Sequence, residues 1–73
     1  MNYGVVLFHT TSAALRAEKI LARAQLVVKL IPTPREFSSD CGIALRFAWE
    51  DSTRVKESLN EARVEVAGIN QIK

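Results

Sequence analysis

GIALRFAW, residues Gly42 to Trp49, alternates without a break: Ile43, Leu45, Phe47 and Trp49 fall on one side, Ala44, Arg46 and Ala48 on the other. A period of two is the mark of a half-buried strand. What stands around this strand decides the fold. Just upstream, LVVKLI (Leu26 to Ile31) reads as a strand stopped by Pro32, and Pro32 and Pro34 predict an extended turn or loop from Pro32 to Asp40. Further back, YGVVLFH (Tyr3 to His9) is β-branched and apolar on both faces, which predicts a central strand.

Helices fill the intervals. TTS (Thr10 to Ser12) supplies N-cap hydroxyls for a helix whose apolar stripe is Ala13, Ala17, Ile20, Leu21 and Ala24. After Trp49, Asp51 or Ser52 caps a second helix with Val55, Leu59 and Ala62 on one side. VEVAG (Val64 to Gly68) then reads as a fourth strand, with INQIK at the end frayed or docked on a neighbour.

The order βαββαβ is the split-βαβ, or ferredoxin-like, pattern. Right-handed crossovers place strands one and three at the centre of a four-stranded antiparallel sheet, with both helices on one face. The expected architecture is therefore an α+β fold forming a single domain over residues 1–73. Strand one carries Val5 and Leu7 on one side and Val6 and Phe8 on the other. Part of the uncovered sheet face is then expected to be exposed in a monomer, favouring a homodimer through it.

Composition narrows the function classes. Of 73 residues, 48% are hydrophobic and 25% charged, which is ordinary for a folded domain. The net charge is +2, too slight a tilt to suggest nucleic acid. No apolar run approaches the roughly 20 residues of a membrane span, and MNYGVVLFHTT lacks the basic region and cleavage site of a signal peptide. A cytoplasmic protein with no membrane or nucleic-acid partner is expected. No phosphate-binding glycine motif, CxxC pair or repeat is present.

Cys41 is the only cysteine, so the chain has no internal disulfide. The topology gives its position a meaning. Strand one runs toward the end where the first helix begins, and strand three, antiparallel to it, starts at that end. Cys41 is therefore expected close to His9, Thr10, Thr11 and Ser12. A thiol must ionise to attack, and a free cysteine with a pKa of about 8.5 is mostly protonated at neutral pH. Helix N-termini, imidazolium and arginine all favour the thiolate. The first amides of the helix, His9 and Arg35 could supply these, and Gly42, without a Cβ, would let a partner come close to the sulfur.

Each residue also has a plain structural reading. Cys41 can be a small core hydrophobe, His9 a solvated strand end, Arg35 a surface residue, TTS an ordinary N-cap, and Phe47 and Trp49 core aromatics. A catalytic Cys-His pair would lack a third residue to orient the imidazole, and a domain this small offers little cleft. Zinc needs three or four ligands, whereas this neighbourhood offers Cys41, His9 and the carboxylates of Glu36 and Asp40. Neither a metal nor another cofactor is expected. The residues read as an activated-cysteine site rather than a classical enzyme. The rival readings are an interaction module that dimerises through the sheet and a redox sensor cycling through sulfenic acid.

YGVVLFHTTSAALRAEKIL followed by VKLIPTPREFSSDCGIALRF resembles a family of small bacterial selenium/sulfur carrier-like proteins. The likeness runs from Tyr3 to about Phe47, on the FH that ends the first strand, the PTPRE loop and the CG before the third strand. It implies that Cys41 holds a sulfur or selenium atom as a persulfide or selenopersulfide, with Gly42 beside it. It also implies a donor of the cysteine desulfurase or selenocysteine lyase type and an acceptor protein. The prolines here precede the cysteine, unlike the Cys-Pro-x-Pro motif of other sulfur carriers.

Overall fold

The computed structural model describes residues 2–37 and 41–72. The elements are β1 (Tyr3–Leu7), α1 (Thr11–Arg23), β2 (Val28–Pro32), β3 (Ile43–Ala48), a 3₁₀ turn (Trp49–Asp51), α2 (Ser52–Glu61) and β4 (Gly68–Ile72). The strands form one sheet in the order β2-β3-β1-β4, with every neighbouring pair antiparallel. The expected α+β, ferredoxin-like arrangement is thus present, with β1 and β3 central. Ser38 to Asp40 of the expected loop and Lys73 of the INQIK end lie outside the described residues.

The alternation of β3 sorts the sheet into two faces. Leu45 and Phe47 join Val6 and Phe8 of β1 in the main core, closed by Ala14, Ala17 and Leu21 of α1 and Val55 and Leu59 of α2. Both helices therefore cover one face. The opposite face carries a smaller cluster of Val5, Leu7 and Ala44, against which Ile31, Phe37 and Ile72 pack. At Val5 and Leu7 this face is not exposed. Val5 is fully buried and Leu7 nearly so, because the chain itself covers this face. Phe37 is brought there by a turn closed by the Phe37 N–H donating to Pro34 O at 3.0 Å.

Both helices stop in the same way. Gln25 and Arg63 each take a left-handed conformation (φ 63° and 57°) just past the C-caps Ala24 and Ala62. Leu26 N–H then donates to Leu21 O and Val64 N–H to Leu59 O, both at 3.0 Å. These are Schellman endings, which usually place glycine at the left-handed position. Buried Leu26 and Val64 complete them by sitting over buried Leu21 and Leu59. Each helix also caps the other: Arg16 of α1 donates to Ala62 O at 3.0 Å, and Arg54 of α2 to Ala24 O at 3.1 Å. Arg16 and Arg54, Leu21 and Leu59, Ala24 and Ala62, and Val28 and Val66 stand at one constant spacing in the chain.

Several boundaries differ from the sequence reading: β1 ends at Leu7 rather than His9, β2 runs Val28–Pro32 rather than Leu26 to Ile31, and Trp49 opens the 3₁₀ turn rather than ending β3. The fourth strand is Gly68–Ile72 rather than Val64 to Gly68. Val64 is taken up by the helix ending, and Ala67 N–H donates to Leu7 O at 2.7 Å before the Leu7–Gly68 pair opens the ladder. Asp51 does occupy the N-cap of α2, but its side chain makes no capping bond, because the 3₁₀ turn leads the chain into the helix.

Candidate functional site

Cys41 sits one residue before Gly42 at the mouth of the β2–β3 hairpin. Its side chain belongs to the main core cluster with Val6, Phe8, Ala14 and Leu45, and the residue is only 4% exposed. It shares the helix-facing side with Ile43, Leu45 and Phe47, so the alternation of β3 extends back to the thiol. The helix it meets is α1. Thr11 Oγ1 and Cys41 Sγ are 3.7 Å apart, a hydrogen bond that either group can donate. The pair spans 30 residues of sequence, as expected from the antiparallel run of β1 and β3.

The start of α1 is a regular N-terminus. Thr10 is the N-cap in extended conformation (φ −138°, ψ 153°), and its Oγ1 accepts from Ala13 N–H at 3.1 Å. Thr11 is the first helical residue and Ser12 follows on the exposed surface. The positive end of the helix dipole therefore lies beside the residue that touches the sulfur. His9 is exposed on the bend between β1 and Thr10. Arg35 is exposed in the turn that begins at Pro34. Thr11 bonds directly to the thiol, and Thr10 acts on the helix start.

Thr33 is a site residue that the sequence reading missed. Its N–H donates to Gly42 O at 3.0 Å and its hydroxyl to Cys41 O at 2.9 Å. The only sequence hint was a β-branched hydroxyl residue between two prolines, a place where side-chain to backbone bonds are favoured. Gly42 is exposed, and a Cβ built on it would meet nothing within 4 Å among the described residues. With Leu30, Ile31, Pro32 and Ile43 it lines a shallow recess of about 270 Å³. A larger hollow of about 420 Å³ between α2 and β4 holds none of the expected site residues.

A model of the family described as "Putative Se/S carrier protein-like" matches residues 3–71. The chain belongs to that family. No curated protein and no solved structure gives a match. The chain's one cysteine lies beside the first residue of α1. No helix among the described residues is long and apolar enough to cross a membrane. No group of three or more His, Cys, Asp or Glu side chains among the described residues could hold a metal ion.

Proposed function

We propose that this protein carries a sulfur or selenium atom on Cys41, receiving it from one protein and passing it to another. The observation that carries this reading is the 3.7 Å contact between Cys41 Sγ and Thr11 Oγ1 at the start of α1, in a chain of the Se/S carrier-like family. In the loading step the Cys41 thiolate attacks the terminal sulfur of a donor persulfide, R–S–SH. A new S–S bond forms to Cys41, the donor S–S bond breaks, and the donor leaves as R–S⁻. The product is Cys41–S–SH, and the proton on the terminal sulfur travels with it. Delivery is the same reaction in reverse, with an acceptor thiolate as attacker.

The surroundings fit these steps. The Thr11 hydroxyl can donate to the thiolate and to the persulfide that follows, and the amides of α1, capped by Thr10 and continued at Ser12, favour negative charge there. His9 would handle the thiol proton, and Arg35 would steady the terminal sulfur once it gives up its own proton. The donor class that suits the chemistry is a cysteine desulfurase or selenocysteine lyase of the cytoplasm. Incubation with such an enzyme and its substrate, or with a small persulfide, is expected to add one sulfur per chain by intact mass. A wild-type protein that gains none refutes the carrier reading.

Gly42 gives a sharper test. A Cβ there meets nothing within 4 Å among the described residues, and no positive φ is involved. Gly42→Val is thus expected to change stability by no more than about 0.5 kcal/mol, as for an ordinary surface substitution. If a protein donor closes over Gly42, the same change should slow loading from that donor by about tenfold, a loss equivalent to one misfitted contact. Loading from a small persulfide should be unaffected. Equal rates from the protein donor in both forms would show that it approaches from elsewhere.

A further inference from the structure

The carrier reading leaves a difficulty: a sulfur atom on a residue only 4% exposed is not open to attack. Something must hold Cys41 in this sheltered position and release it. A bond to its backbone points to one such group. β3 begins at Ile43, whose partner in β2 is Pro32, a residue with no N–H to give. Pro32 and Ile43 form a non-hydrogen-bonded pair, so the ladder does not need that N–H; the next rung is Thr33 N–H donating to Gly42 O at 3.0 Å, and the Thr33 hydroxyl adds a bond to Cys41 O at 2.9 Å. At the other end of the same residue, Thr11 meets the sulfur at 3.7 Å. Pro32 and Pro34 flank Thr33 and restrict the backbone on either side, so little freedom is lost in presenting the hydroxyl.

We propose that Thr33 is the positioning residue of the Cys41 site: its hydroxyl bond to the Cys41 carbonyl latches the thiol inward against Thr11, and breaking that bond lets the sulfur swing out to react. The inference rests on the carrier reading for its purpose, which is to shelter the carried atom from small thiols. The latch itself is a statement about Cys41 accessibility and can be tested without any sulfur donor. Gly42, exposed and without a side chain, is the adjoining residue where the chain can turn.

The experiment measures alkylation of Cys41 by iodoacetamide in the full chain, followed by intact mass, across low urea concentrations. Thr33→Val keeps the side-chain shape and the N–H bond and removes only the hydroxyl bond; Thr33→Ser keeps the hydroxyl. A local opening gives a labelling rate that is flat in urea, whereas exposure by global unfolding rises steeply with it. The expected result is a urea-independent rate about 5-fold faster in Thr33→Val, the opening gained by losing one hydrogen bond of typical net strength, with Thr33→Ser close to wild type. An unchanged rate in Thr33→Val, a Thr33→Ser as fast as Thr33→Val, or an acceleration seen only in the urea-dependent regime would overturn the latch. In sulfur-loaded protein, Thr33→Val should lose its sulfur to dithiothreitol faster by a similar factor. Failure of wild type to load would remove the carrier purpose while leaving the labelling result standing.

Discussion

Cys41→Ser is expected to abolish sulfur loading, from one added atom per chain in wild type to none. The loss is total because the chain has no second cysteine to substitute. A serine hydroxyl stays protonated at neutral pH and, without an adjacent base to activate it, does not displace a thiolate from a persulfide. Unfolding is not the cause. Cys41 contributes a small apolar side chain to the core and a weak contact with Thr11, while its backbone is held through Thr33. A serine at this place brings a hydroxyl that Thr11 can still partner, so the expected cost is about 1 kcal/mol, within the usual range for a single substitution. Cys41→Ala serves as a second variant that buries no new polar group. Intact mass after exposure to a persulfide donor, with a urea midpoint on the same samples, separates the two effects. A folded Cys41→Ser that still gains sulfur would move the chemistry away from the thiol altogether.

The position of that thiol was legible to a considerable degree, and the reason is topological. Once GIALRFAW is read as a strand antiparallel to YGVVLFH, the start of the one must lie near the end of the other, and Thr11 meets Cys41 as a result. The direction of the sulfur was also present in the pattern. Cys41 falls in step with Ile43, Leu45 and Phe47, all packed with the helix-covered core, so counting back two residues from Ile43 already turns the thiol inward. Thr33 was not legible, because its role depends on its falling opposite Gly42 in the rung that follows the Pro32–Ile43 pair, a matter of register. Nor were the helix endings. Gln25 and Arg63 occupy the left-handed positions where a glycine would have given the signal. That hid the stop at Val64 and let VEVAG pass for a strand, although Val66 and Ile69, both packed against the main core, break the phase between them.

Gly4 is where the sheet leaves least room, and Gly4→Ala is expected to be the most destabilising of the small substitutions argued for this chain. In a strand, alanine for glycine ordinarily stabilises by about 0.5–1 kcal/mol, since glycine loses the most freedom on folding. Here the sign reverses. Gly4 stands directly opposite Phe47 in the β1–β3 ladder, and a Cβ on it would lie 2.6 Å from Trp49 Cε3 and 2.8 Å from Phe47 Cε2. Neither ring is a loose chain end that could step aside. Phe47 is 2% exposed, and the two rings stack with centroids 6.0 Å apart and planes at 24°. Admitting a methyl means moving both rings or bending the central strand, an overpacking cost of about 3 kcal/mol at the upper end of the usual range. After the entropic gain about 2 kcal/mol of destabilisation remains, which in a domain this size lowers Tm by roughly 8–16 °C. Thermal unfolding of Gly4→Ala alone and combined with Phe47→Leu checks both the size and the cause. The smaller partner should recover part of the loss, giving a coupling energy of about 1 kcal/mol in the double-mutant cycle. A Gly4→Ala protein as stable as wild type would mean that the rings yield freely, and that the aromatic pair does not hold β1 against β3 as tightly as its geometry requires.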